Sequence, residues 1–231
     1  SIYNMINASG GNREGYPVAS FFLYKMDGIF QSPEDVTNHY TEVVQPDGSI
    51  KNIVLQPDAK PGDIRFKDLN NDGVIDENDK EYCGSGIPKL EANLSFGGSY
   101  KGVDLSFLLG SAWGHKLYNA NRLYYESMDA GINLFKSTLG AWTEDNRSNV
   151  MPRAVLKDPN MNSRESDRFL EKGNFIRLRQ LQVGYTLPKN LTKKVYIDKC
   201  RFYVSGENLL TWTNYSGIDP EFSSSILDTG V

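Results

Sequence analysis

Two successive runs of alternating residues, a very tight turn between them, and long polar excursions on only one side of the strands predict an all-β fold, the antiparallel strands of a transmembrane β-barrel. Side chains along a strand switch faces at every residue. Ala92, Leu94, Phe96, Gly98 and Tyr100 therefore point one way, and Asn93, Ser95, Gly97 and Ser99 the other. Lys101-Gly102 makes the turn. The return run places Val103, Leu105, Phe107, Leu109 and Trp113 on one face and Asp104, Ser106, Gly110 and Ala112 on the opposite one. A soluble sandwich strand alternates too. On periodicity alone the soluble reading is the commoner one; length shifts the balance, because two consecutive runs of about ten residues exceed the usual ~5–6 and match the ~9–11 of a membrane-crossing strand.

The other elements follow in order. Residues 16–31, YPVASFFLYKMDGIFQ, carry β-branched and aromatic residues between glycine and proline, which predicts one or two strands. From Ser32 to Gly62 the chain is polar and broken at Pro33, Pro46, Pro57 and Pro61, a long loop with a small hairpin around Asp47-Gly48. Residues 114–172 form a second long loop, with a short helix in YNANRLYYESM and a proline-bounded MPRAVLKDPN. Strand character returns over 173–187, with Leu181, Val183, Tyr185 and Leu187 in phase. Arg177 and Arg179 share that parity, so either a bulge shifts the register or that end stands clear of lipid. After Pro188 a basic turn leads into CRFYVSGENLLTWTNY, with Phe202, Val204, Leu210 and Trp212 in phase.

Bulk properties exclude several classes. A net charge of −4 with scattered basic residues leaves no electrostatic footprint for nucleic acid. Cys83 and Cys200 are far apart and outside any C-x-x-C pattern, which argues against a zinc site or a disulfide framework and leaves a single bridge open but unsupported. No apolar run approaches the ~18–20 residues of a membrane helix, and residues 1–30 carry no signal-peptide pattern. The 13 Tyr, 11 Phe and 3 Trp suit strands and the aromatic girdles of a barrel.

The stretch 68–79, DLNNDGVIDEND, has the spacing of a calcium loop. Side-chain oxygens fall at Asp68, Asn70, Asp72, Asp76 and Asp79, and Val74 would add its backbone carbonyl. Gly73 sits where such a loop turns sharply. The plain alternative is a solvated acidic turn, since Asp, Asn and Gly are turn residues in any case. Pro57, Pro61 and Gly84 flank the stretch in place of long helices, so a bound ion would brace a loop and drive no helix switch. Asp79 is one methylene shorter than the usual bidentate glutamate, which leaves calcium against magnesium open.

Catalysis finds no support. No carboxylate pair can be set across a common cleft, and His39 and His115 lie outside any zinc or triad pattern. Tyr124, Tyr125, Trp142, Trp212 and Tyr215 could stack on sugars, but packing within loops or at a lipid interface is the commoner use of such residues. The sequence therefore predicts a protein that is not an enzyme.

Three stretches, PGDIRFKDLNNDGVIDENDKEYCGSGIPKLEANLSFGGSYKGVDLSFLLGSAWGHKLYN, DRFLEKGNFIRLRQLQVGYTLP and RFYVSGENLLTWTNYSGIDPE, with GYPVASFFLYKMDGIFQ before them, resemble the C-terminal third of SusC-like TonB-dependent outer-membrane transporters. The resemblance spans nearly the whole chain. It implies that residues 1–231 are a partial, C-terminal segment of a 22-stranded barrel in the outer membrane of a Gram-negative bacterium, with long extracellular loops. The plug, the TonB-interacting segment, the earlier strands and the final aromatic-ended strand would lie outside the sequence. Implied partners are a SusD-like surface lipoprotein, the remainder of the transporter, TonB through the N-terminal part, outer-membrane lipid, and an oligosaccharide or peptide cargo.

Two other readings stand beside it. A secreted, calcium-stabilised β-sandwich that binds carbohydrate would bury Leu94, Phe96, Leu105, Phe107 and Leu109 under a second sheet. A hydrolase domain would cleave glycans.

Overall fold

The computed structural model describes residues 10–11, 13–129 and 131–221, with no account of the Val195 side chain. The chain divides into two compact units. One comprises residues 1–86, 118–171 and 223–231, the other 87–117 and 172–222. Among the described residues no helix is long and apolar enough to cross a membrane.

The second unit is built on a four-stranded antiparallel sheet. Its strands are β8 (Leu90–Tyr100), β9 (Val103–Trp113), β12 (Phe175–Thr186) and β13 (Arg201–Thr213), in the order β13-β12-β9-β8. Tyr100 pairs with Val103, so the hairpin turns on Lys101 and Gly102 alone, with φ of 49° and 87°. Positive φ at both central residues is the turn geometry that matches the twist of paired strands.

Register explains the misplaced arginines. Leu178 pairs with Leu109 and Gln180 with Leu108, so β12 carries one extra residue, Arg179, against β9. On the other side Leu178 pairs with Leu210 and Gln180 with Glu207, and Asn208 takes a φ of 51° to absorb the mismatch. Of the two expectations, the bulge is the one observed. It brings Ile176 and Leu178 onto the same face as Leu181, Val183 and Tyr185, and turns Arg177 to the other.

Each row across the sheet is then uniform. Tyr100, Val103, Tyr185 and Phe202 stand side by side, then Gly98, Leu105, Val183 and Val204, then Leu94, Leu109, Leu178 and Leu210 beyond the bulge. Phe96 and Phe107 stack across β8 and β9 at 5.4 Å. This apolar face is open, with Leu94 58% and Val204 78% exposed. The sandwich alternative needs it buried.

The first unit makes its sheets from short pieces. Strands β1 (Gly10–Gly11), β2 (Ser20–Leu23) and β7 (Glu81–Ser85) form one sheet. Strands β3 (Met26–Ile29) and β6 (Ile64–Phe66) form a second. The expected hairpin around Asp47-Gly48 is present as β4 (Tyr40–Val44) and β5 (Ile50–Val54). A five-residue helix α1 (Pro33–Thr37) lies within the stretch expected to be loop. Ser32 caps it, Pro33 opens it, and the Asp35 carboxylate accepts the cap N–H in return. The helix expected in YNANRLYYESM is α2 (Ala120–Tyr125). Strands β10 (Lys116–Tyr118) and β11 (Leu170–Lys172) pair with each other where the chain passes from one unit to the other.

Three small apolar clusters hold this unit. Phe21, Leu23, Tyr118 and Phe169 form one, Ile29, Ile64, Phe66 and Trp142 another, and Phe30, Val36 and Ala59 the third. Strand β6 has β3 on one edge and side-chain amides in place of a further strand. Gln56 donates to the Ile64 carbonyl at 2.9 Å and accepts from the Phe66 N–H at 2.8 Å, while Asn162 accepts from the Ile64 N–H at 2.7 Å. Buried backbone groups need such partners, since each one left unmade costs free energy.

Candidate functional site

Two polar constellations stand out, one in each unit. In the first unit the 68–79 loop is tied together by its own carboxylates. Asp68 accepts the Asn71 N–H at 2.7 Å and the Gly73 N–H at 2.9 Å. Asp72 accepts the Val74 N–H at 2.9 Å and the Asn70 side-chain amide at 2.8 Å. Asp76 caps a 3-10 turn over Glu77–Asp79 and accepts the Asn78 N–H at 2.8 Å. Asp79, fully buried, closes the loop from its far end, taking the Leu69 N–H at 2.7 Å and the Asp76 N–H at 2.8 Å.

Backbone shape agrees with the spacing. Gly73 has a φ of 87°, where an L side chain is strained, and a Cβ there would press within 3.0 Å of Ile53 on the β4–β5 hairpin. Beneath the loop Tyr24 donates to Glu77 at 3.2 Å, and burial together with the Glu77 charge pushes its phenol up to about 12. Lys80 bridges Glu77 at 2.9 Å and holds that carboxyl below its ordinary value.

The donor set fits a hard cation in kind, all oxygen, and in loop shape. Its side chains are turned to backbone N–H groups, and among the described residues no three His, Cys, Asp or Glu groups are gathered around one point. An ionised carboxylate has about four lone-pair positions, so the two N–H groups that Asp68, Asp72 and Asp76 each accept leave oxygen capacity, and the three that Asp79 accepts leave less.

In the second unit the functional groups lie on the face opposite the apolar rows. Arg201 reaches across β12 to Asp104 on β9, with contacts of 3.0 and 2.5 Å. Gly184 lies under this bridge, and a Cβ there would meet both partners. At the bulge, Arg177 pairs with Asp219 and with Glu221 at 3.0 Å, and Arg179 with Glu221 at 2.5 Å. The Arg179 side chain lies over Gly110, where any Cβ would displace it. Two arginines thus fasten the segment after β13 back onto the polar face. Burial opposes ionisation of Asp219, but the Arg177 hydrogen bond, the Glu221 N–H and the Arg177 charge together hold it below the usual carboxylate value.

Sequence reasoning met Arg177 and Arg179 only as breaks in an apolar phase, and did not connect them with Asp219 and Glu221. The signal was the pair of arginines inside a strand followed by two acids around Pro220. Of the aromatic candidates, Trp142 is core, its indole N–H donating to Gln31 at 2.9 Å, and Trp212 stands on the apolar face. His115 is buried, which lowers its pKa. Cys83 and Cys200 are free thiols.

A two-faced antiparallel sheet, apolar and open on one side and charged on the other, defines the class as a segment of a membrane β-barrel. Comparison with known proteins makes this more particular. No protein-family model matches the chain. It is 29% identical to TonB-dependent receptor P3 of Formosa agariphila over 212 residues, 90% of this chain and 19% of that receptor. It is 27% identical to TonB-dependent receptor SusC of Bacteroides thetaiotaomicron over 175 residues, 75% of this chain and 17% of the receptor. Among solved structures, the RagAB peptide transporter aligns with a TM-score of 0.63 at 26% identity, covering 89% of this chain and 20% of that one. The chain is SusC-like in both sequence and fold, and spans about a fifth of the length of the relatives it matches.

Proposed function

We propose that the chain serves as part of an outer-membrane, TonB-dependent importer of the SusC kind, taking up oligosaccharide or peptide without bond-making chemistry. The observation that carries this reading is the sheet with one apolar, open face and one charged face. In the complete protein the apolar rows meet lipid, and the Asp104–Arg201 and Arg177–Asp219 bridges face the lumen. By strand direction, segments 32–91 and 114–172 leave the sheet at the end opposite Lys101-Gly102. That end is extracellular in this reading, and the two segments contact a SusD-like lipoprotein and border the cargo entrance. The RagAB neighbours are named peptide importers, which supports peptide beside oligosaccharide as the cargo class.

The 68–79 loop is proposed to hold a structural calcium ion through Asp68, Asn70, Asp72, Asp76, Asp79 and the Val74 carbonyl. A braced loop loses less conformational entropy when it docks. Deleting residues 114–172 from the full-length transporter tests the functional reading. Cargo uptake and lipoprotein co-purification should both fall, and normal values for both would refute it. Melting with calcium and with chelator tests the ion, and equal melting temperatures would remove it.

A further inference from the structure

At the tight-turn end of the sheet the connection between β12 and β13 carries features that the barrel does not require. A one-turn helix α3 (Lys189–Thr192) and a 3-10 turn (Lys193–Val195) fill it. Thr186 donates to the Gly102 carbonyl at 2.7 Å and Leu187 to the Cys200 carbonyl at 2.9 Å, which fixes this connection beside the Lys101-Gly102 turn. Lys189, Lys193, Lys194 and Lys199 are all exposed, and among the described residues the ion pairs of this unit join Arg177, Arg179 and Arg201 to Asp219, Glu221 and Asp104 and include none of these lysines. Asp104, held by Arg201, also lies within electrostatic reach of Lys199, and within residues 187–200 the only acid in the sequence is Asp198, so lysines outnumber the carboxylates near this connection.

Apolar groups stand in the same segment. Tyr196 is 99% exposed, Leu191 54% and Ile197 45%. The apolar face of the sheet ends just before it, in the row Tyr100, Val103, Tyr185 and Phe202. An aromatic row, then exposed apolar side chains among lysines in excess over acids, is the order met on passing from acyl chains into a layer of anionic headgroups.

We propose that the 189–199 connection binds the headgroups of anionic phospholipids of the phosphatidylglycerol type, in the leaflet at the tight-turn end. Lys189, Lys193, Lys194 and Lys199 face the phosphates, and Leu191, Tyr196 and Ile197 enter the interfacial layer. This rests on the reading of the sheet as membrane-spanning. Charge complementarity and continuity with the apolar face select lipid over a soluble anion.

The test uses the full-length transporter in nanodiscs of phosphatidylcholine and phosphatidylglycerol, with retained lipid counted by native mass spectrometry. The wild type should retain phosphatidylglycerol above its bulk share. Lys189→Gln, Lys193→Gln, Lys194→Gln and Lys199→Gln together should lower that enrichment by about fivefold or more, as expected when several lysines near a charged surface are neutralised. Insertion is read separately, as resistance of the barrel to unfolding in detergent gels. Normal insertion with unchanged enrichment overturns the proposal alone, whereas failure of the wild type to insert in any lipid overturns the membrane reading and the proposal with it. If the quadruple variant does not assemble, the wild type decides: enrichment that survives about 0.5 M salt, where the screening length is a few Å, overturns the proposal. So does retention of purified peptidoglycan in place of phosphatidylglycerol.

Discussion

The two units of this chain meet the problem of burying apolar surface in opposite ways. The loop-bearing unit encloses Phe30, Phe66, Phe169, Leu23 and Ile64 almost completely and supplies its short strands with side-chain amides. The sheet unit leaves Leu94, Phe96, Val183, Val204 and Trp212 open along whole rows. A water-soluble domain could not carry such rows at no cost, since scattered apolar residues are ordinary on a surface but continuous patches mark an interface. In the proposed reading the difference follows from solvent: one unit makes its own core, and the other would be covered by a surrounding apolar phase.

Substitutions should separate the units by type. The largest effect is expected at Phe66→Ala, which opens a cavity beside Ile29, Ile64 and Trp142 and should destabilise the loop unit by about 3–5 kcal/mol. Hydrogen exchange at Ile64 and Phe66 reports it, and exchange in the β8–β9 hairpin should stay unchanged. Next comes Phe107→Arg, which should cost about 2–4 kcal/mol if the residue faces the bilayer midplane, whereas Ser106→Arg on the polar face should cost much less. Folding yield into lipid measures both, and equal losses would show that the two faces are not distinct.

The smallest effect concerns acid. Asp219 has a folded pKa below its unfolded value, so its contribution to the Arg177 latch is complete above the ordinary carboxylate range near ~3.9. It is lost as pH falls through the lowered folded value. Mobility of residues 214–221, followed by a spin label, should therefore rise only below about pH 4, and Asp219→Asn should raise it at neutral pH.

How much of this was readable in advance follows the same division. The β8–β9 hairpin was legible with its turn at Lys101-Gly102 and its two faces, though β8 begins two residues earlier, at Leu90, because period-two alternation and a two-residue turn are both local signals. The register of β12 was half legible. Arg177 and Arg179 broke the phase, but only the pairing of Leu178 with Leu109 and Gln180 with Leu108 shows that a bulge restores it. Strand β6 was not legible, since three residues carry no period and its partners Asn160 and Asn162 lie almost a hundred positions away. Strand β7 was missed for the same reason of length. The hydrogen bonds of the 68–79 carboxylates to backbone N–H groups also escaped the sequence, because calcium-loop spacing and a self-capped acidic turn use the same residues.

The central claim is that the apolar rows of the β13-β12-β9-β8 sheet face lipid. It is tested most directly by replacing Cys83 and Cys200 with serine, placing single cysteines along β9 at positions 104 to 109 of the full-length transporter, labelling each with an environment-sensitive fluorophore, and measuring quenching by brominated lipids. Strong quenching is expected at Leu105, Phe107 and Leu109 and weak quenching at Asp104, Ser106 and Leu108, alternating with the period of the strand. Uniform quenching, or none at any position, would contradict it.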